Sequence, residues 1–310
     1  MQVTEIRGIK ISKLVLGTVQ LGIPYGIANK GGLPDMDARF EIIQEAIDGG
    51  VNTLDTAAAY GESEKIIGFF NRGRVCADIP QVVTKVSGIQ PEMSDKEVFD
   101  YVINSVNRSC ELLYLDTVPI VLLHSYNEWK NGGKAAVRAL QHLKDTGKIL
   151  NAGISIYGSD DVESVLDQPV FEAIQVPMSI FDQRLINSGA LERLQERQII
   201  VFVRSVYLQG LMFLNPNELT GNLVKAKSYI QKLLFICERE GRSVAELALA
   251  FIRDQKGVTG LVLGCETKNQ IRQNIELFDS PPLSNSLIDE IKDCFSDIPD
   301  EVTDPRTWVK

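Results

Sequence analysis

The sequence predicts an α/β fold, a closed (β/α)8 barrel with an N-terminal β-hairpin and an extra C-terminal helix. Eight short apolar runs with β-branched residues recur along the chain, most of them too continuously apolar to leave one face in water. Segments with helical spacing lie between them, several closed by Gly or a basic residue. A repeated βα unit with buried parallel strands allows an open doubly wound sheet or a closed barrel. Eight units favour the TIM barrel, and no Pro/Gly/Ser-rich linker, charge block or low-complexity stretch divides residues 1–310 into more than one domain.

The elements follow in order. MQVTEIRGIKIS alternates polar and apolar residues, which suits a hairpin laid across the N-terminal mouth of the barrel. It lacks a long apolar core and reads as neither signal peptide nor membrane anchor. Strand candidates then begin at Lys13 (KLVLGTV), Val51 (VNTLDTA), Gln81 (QVVTKVS), Val118 (VPIVLLH), Asn151 (NAGISIY), Ala173 (AIQVPMS), Ile199 (IIVFVRS) and Val258 (VTGLVLG). Helical spacing is clearest in ARFEIIQEAIDGG, DKEVFDYVINSVNRSCELL, KAAVRALQHLKDTGK, GALERLQERQ and SVAELALAFIRDQ. The interval from Ser205 to Val258 exceeds an ordinary βα connection and is expected to hold a substrate or cofactor flap. The tail after Phe278 is expected to hold one more helix, near Ser286 to Phe295.

Composition narrows the function. With 44% hydrophobic and 24% charged residues the chain has ample core for a globular protein. A net charge of −9 offers no footprint for nucleic acid or an anionic membrane surface. The five cysteines, Cys76, Cys110, Cys237, Cys265 and Cys294, are odd in number and form no CxxC pair, which fits a reducing, cytoplasmic setting. No cluster has metal-ligand spacing and no GxSxG elbow occurs, while GGLPDMD and GSDD are ordinary turn or helix-entry chemistry. No exposed apolar repeat demands a partner, so a monomer is expected.

In a barrel of this kind catalytic groups sit at the C-terminal ends of the strands. Strand 2 ends in Asp55 and leads to Tyr60; strands 3, 4 and 5 end near Lys85, His124 and Ser155. A strand that buries a carboxylate or an ammonium must pair it, and Asp55 and Lys85 are natural partners. A tyrosine hydroxyl is a poor acid at neutral pH, but an adjacent ammonium stabilises a developing phenolate and makes Tyr60 a usable proton donor. His124 would polarise the same carbonyl oxygen. Each residue alone has an equal claim to a structural role, and His142, among Lys144 and Lys148, reads as a solvated face residue. Four such groups at consecutive strand ends favour chemistry.

GVNTLDTAAAYGESEKIIG resembles the signature of the aldo-keto reductase family, with its Asp and Tyr at Asp55 and Tyr60. QVVTKV is similar to the segment carrying the family lysine (Lys85), VLLHS to that carrying the histidine (His124), and LKDTGKILNAGIS to the stretch before the fifth strand. The resemblance runs from about Lys13 to Phe278. It implies an NADP-dependent oxidoreductase reducing an aldehyde or ketone, with an extended NADPH across the barrel mouth and NADH as the second option.

The implied cofactor contacts start with Gly17, Thr18 and Asp55, and a carboxamide site at Ser155 and Gln175. RSVYLQGL, including Arg204, Ser205, Leu208 and Gly210, resembles the pyrophosphate-covering stretch, chiefly through its backbone. LGCETKNQIRQN, including Gly264, Gln270 and Asn274, resembles the adenosine-holding loop and helix, whose N-terminus suits a phosphate. Ile156 stands where most members have Asn, and Arg204 where an aromatic residue stacks on the nicotinamide, a role a planar guanidinium also fills. Gln270 and Gly264 replace cations of NADPH-specific members and Glu266 adds a negative charge, for which Lys268 and Arg272 would compensate. LGTVQLGIPYGIANKGGLP and FDQR are similar to a bacterial branch associated with sugar and surface-polysaccharide metabolism. Tyr25, Tyr126, Trp129 and Tyr157 are candidate pocket walls for a sugar-like carbonyl. The alternative is a non-catalytic nucleotide-binding sensor or regulatory subunit; a Schiff-base lyase built on Lys85 leaves Tyr60 and His124 unexplained.

Overall fold

A computed structural model of the chain describes residues 1–26, 32–75 and 78–308. β1 (Val3–Ile6) and β2 (Ile9–Ser12) pair antiparallel around Arg7 and Gly8, both in the left-handed region at φ 47° and 77°. The eight expected barrel strands follow as β3 (Leu14–Gly17), β4 (Thr53–Asp55), β5 (Gln81–Val86), β6 (Val118–Leu123), β7 (Ile149–Ser155), β8 (Phe171–Pro177), β9 (Ile200–Arg204) and β10 (Gly260–Gly264). They are parallel throughout and close into a barrel, β10 pairing with both β9 and β3.

Alternation along each strand explains both core and site. Val15, Val83, Ile120, Leu122, Ala173, Ile200 and Phe202 pack together inside the barrel, and Ile9 and Ile11 of the hairpin join them. Arg7 fixes the hairpin at the N-terminal end, donating from Nε to the Gln198 carbonyl (2.7 Å) and pairing with Glu172 (3.1 Å). Because successive side chains face opposite sides, the residues two places beyond this inward layer also face inward. Those residues are Gly17, Lys85, His124, Gln175 and Arg204, so one parity rule sets the strand-end ring.

The outward faces of the strands and the inner faces of the helices form the larger core. Its helices start on short polar caps: Asp35 accepts from Ala38 N before Met36–Asp48, and Ser94 and Glu97 form a capping box before Asp95–Leu113. Tyr126–Asp145 begins at the Ser125 cap, eight residues before the expected Lys134, because the chain stays helical on both sides of a break at Gly133 (φ 49°, ψ −136°). The interval after β9 is a flap only in part. Residues 205–226 form irregular turns and 3-10 segments, after which Lys227–Glu240 and Val244–Arg253 are regular helices. The unanticipated first of these buries Ile230, Leu233 and Cys237, an i, i+3, i+7 pattern present in the sequence. The expected tail helix is Asn285–Cys294, and beyond it Asp300–Thr303 and Pro305–Thr307 return the chain to the barrel mouth. No helix among the described residues is long and apolar enough to cross a membrane. Cys110, Cys237, Cys265 and Cys294 are free thiols, and Cys76 lies outside the described residues.

Candidate active site

A cavity of about 1000 Å³ opens at the C-terminal ends of the strands. Asp55, Tyr60 and His124 line it, as do all the expected cofactor residues except Leu208, which turns into the core. Lys85 lies beneath the cavity floor, 1% exposed. Tyr25 and Tyr157 are wall residues, whereas Tyr126 and Trp129 are not: they pack edge to face on each other, with Trp129 against Phe171, between helix and barrel.

The floor is a closed ion pair. Lys85 Nζ donates to Asp55 Oδ1, Asp55 Oδ2 and the Thr56 carbonyl, all at 2.8 Å, which occupies its three protons. Gln175 Nε2 adds a bond to Asp55 Oδ1 at 2.7 Å, so the amide expected at the carboxamide site also supports the carboxylate. Such complete satisfaction is what keeps two charges tolerable in a core.

Tyr60 stands on a loop fixed from two sides. A Cβ on Gly22 would lie 1.7 Å from the Tyr60 carbonyl oxygen, and Gly61, at φ +57°, faces the Gly22 backbone in return. Only two glycines allow the loops after β3 and β4 to cross this closely. Below the crossing Ser63 Oγ donates to Thr18 Oγ1 (2.7 Å) and accepts from Thr56 Oγ1 (2.9 Å), while Thr18 Oγ1 donates to the Asp55 carbonyl at 2.9 Å. Thr18 was expected as a cofactor contact; Ser63 and Thr56 carried no sequence signal beyond lying in the quoted motif. The Lys85 ammonium sits 5.1 Å from the Tyr60 ring centroid.

His124 meets Tyr60 edge to face, with centroids 5.6 Å apart. Burial, then the charges of Lys85 and Arg204, push its imidazole down to about 4. The ring is therefore neutral at physiological pH and offers one N–H donor and one acceptor. Between the ordinary value of 6.5 and about 4, the unfolded chain binds a proton that the folded chain rejects. Stability contributed by neutral His124 is thus complete above pH 6.5 and falls as pH drops toward 4. Urea midpoints measured across that range should fall more steeply for the parent than for His124→Gln; parallel profiles would contradict this placement.

Arg204 lies over the Tyr157 ring at 4.2 Å, and Arg306, from the C-terminal tail, lies over the same ring at 3.6 Å. Sequence reasoning missed Arg306, whose position depends on a tail without periodic signal. Ser205, Leu208 and Gln209 are all left-handed (φ 62°, 46° and 52°), beside Gly210 at 93°. Such clustered strain marks functional segments, and here Gln209 Nε2 donates to the Tyr25 hydroxyl at 3.2 Å across the cavity. Tyr207 OH and Gln20 Oε1 are buried lining atoms without a hydrogen-bond partner among the described residues.

At the loop and helix after β10 the two cations expected to compensate pair with a neighbouring helix. Arg272 pairs with Glu45 (2.6 Å), and Lys268 lies 3.5 Å from Glu45, so both cations face the helix Met36–Asp48 rather than the cavity. Gln270 Oε1 accepts from the Glu266 and Thr267 amides at 2.6 and 3.2 Å, completing a capping box for Lys268–Leu277. Glu246, Glu266, Glu276 and Asp279 line the cavity on the segments flanking β10.

The profile of the Aldo/keto reductase family matches residues 13–295. An uncharacterised oxidoreductase, YqkF of Bacillus subtilis, is 25% identical over 293 residues, covering 90% of each chain. The NADH-specific methylglyoxal reductase of Escherichia coli is 26% identical over 86% of this chain and 90% of its own. Among solved structures, the holo form of aldo-keto reductase AKR11C1 from Bacillus halodurans superposes with a TM-score of 0.78 at 21% identity, covering 99% of this chain and all of the other.

Proposed function

The chain belongs to the aldo/keto reductase family, an oxidoreductase family that uses nicotinamide cofactors, and from that membership we propose that it reduces the carbonyl of a small aldehyde or ketone, with Tyr60 as proton donor. The observation that carries the reading is the convergence of Asp55, Lys85, Tyr60 and His124 at one cavity, where Tyr60 and His124 are turned to the lumen above a closed ion pair. The residues present suit a nicotinamide dinucleotide: the cavity is large, and the buried Tyr207 hydroxyl and Gln20 Oε1 await polar partners. When bound, that cofactor supplies the hydride. Ser155, Gln175 and the 205–210 backbone would hold it.

The chain's own groups act on the carbonyl oxygen. Neutral His124 donates a hydrogen bond that draws electron density toward the oxygen, and the Tyr60 hydroxyl releases its proton to the alkoxide as it forms. Lys85, oriented by Asp55, stabilises the tyrosinate left behind. Gln209 donates to the Tyr25 hydroxyl across the mouth.

Cofactor preference follows from charge. Arg204 is the one Lys or Arg among the described lining residues, and it stands at the catalytic end, while carboxylates line the segments flanking β10. An added 2′-phosphate there would meet no cation, so the preference moves from NADPH to NADH, as in the NADH-specific relative. NADH should bind about tenfold tighter or more. We read the substrate as a polar, sugar-like carbonyl and the protein as a single-domain cytoplasmic monomer.

Titration with NADH and NADPH, followed by protein fluorescence and then by absorbance of the reduced nicotinamide on adding an aldehyde and sugar panel, tests this reading. Binding followed by oxidation is the expected result. Binding without oxidation across the panel would favour a nucleotide sensor, and no binding would overturn the proposal.

A further inference from the structure

Arg204 lines the cavity half-buried and, among the described residues, pairs with no carboxylate, whereas other arginines are neutralised. Arg184, Arg253 and Arg306 each hold an aspartate at 2.8 Å or less. Arg204 makes two contacts at the outer limit of hydrogen bonding, from Nη1 to Ser205 Oγ and from Nη2 to the Ile156 carbonyl, both 3.4 Å. A guanidinium carries five N–H donors, so most of this group's capacity faces the cavity unused. Its neighbours leave the charge uncancelled: Arg306 is neutralised by Asp304, Lys85 by Asp55, and His124 carries none at neutral pH.

The group is also held in place. Its plane rests on Tyr157, which Arg306 contacts in turn, and the bond from Arg306 to Asp304 fixes that second guanidinium. An unpaired cation held in place beside a cavity is a preorganised anion site. The influence of its charge on both His124 and Tyr25 sets it within the catalytic end of the cavity.

Resting on the reductase reading, we propose that Arg204 is the residue that selects substrate charge, and that the preferred substrates carry a carboxylate or phosphate within a few bonds of the reacting carbonyl. Arg204 then anchors the anionic group while the carbonyl reaches Tyr60 and His124. This assigns it to the substrate rather than to stacking on the nicotinamide.

Matched pairs test the proposal: 4-oxobutanoate against butanal for carboxylate, and glyceraldehyde 3-phosphate against glyceraldehyde for phosphate. In the parent, kcat/KM for the charged member of at least one pair should exceed that for the neutral member on the order of 100-fold at low salt. Arg204→Met should bring that ratio near one, and Arg204→Lys should restore part of it. The pair with the larger ratio identifies the anion. Ratios near one in the parent, with both members turned over, would overturn the inference and leave the reductase standing. A parent ratio that survives in Arg204→Met, with weakened NADH binding by fluorescence, would assign Arg204 to the cofactor and overturn it equally. Absence of turnover with all four aldehydes would instead count against the underlying reading. Calorimetry with 4-hydroxybutanoate and with 1-butanol then decides the site by itself, anion binding lost in Arg204→Met supporting it and absence of anion binding in the parent refuting it.

Discussion

Tyr60→Phe is expected to lower kcat for carbonyl reduction between about 100-fold and 10,000-fold, the range over which a positioned general acid contributes. The substitution removes one oxygen from the cavity wall and leaves the ring, its edge contact with His124 and the Gly22 crossing in place. Cofactor affinity, measured by fluorescence titration, should therefore change little. Turnover comparable with that of the parent would remove Tyr60 from the mechanism, and a matching loss of cofactor affinity would make it a binding residue.

The second large effect is on stability. Lys85→Met leaves Asp55 buried with one amide donor from Gln175 and no cation, in a side-chain environment only 4% exposed. Breaking a buried pair from one side costs about 3–5 kcal/mol, a large share of the stability of an ordinary domain. The urea midpoint should fall accordingly, and turnover should fall with it because the tyrosinate loses its counter-charge. Adding Asp55→Asn to Lys85→Met should recover part of the stability and none of the rate. A melt of Lys85→Met indistinguishable from the parent's would show that the pair is not the buried unit described here.

Much of this was legible in the sequence because period and polarity carry it. The eight strands were found from apolar runs, and Asp55, Lys85 and His124 stood out as polar interruptions at the ends of such runs, with Tyr60 on the loop that follows Asp55. The inward parity of Lys85, His124 and Gln175 then follows from alternation, which local sequence encodes. What escaped depends on contacts distant in sequence. Arg306 reaches Tyr157 across about half the chain, and Lys268 and Arg272 are drawn from the cavity by Glu45, far upstream. Nothing near Lys268 announces that choice. Trp129 misled for a related reason: an aromatic residue just after a strand end reads as a pocket wall, but the helix from Tyr126 turns it onto Phe171.

On the proposed function, this cavity brings a reduced nicotinamide and a carbonyl together for hydride transfer. The most direct measurement uses NADH stereospecifically deuterated at C4 of its nicotinamide, a saturating aldehyde from the reactive panel, and mass spectrometry of the alcohol formed. One deuterium is expected on the carbinol carbon when one face of the nicotinamide is labelled and none when the other is, with labelled alcohol from Tyr60→Phe lower by about 100-fold or more over the same interval. Alcohol formed without deuterium from either labelled cofactor would contradict the proposed function.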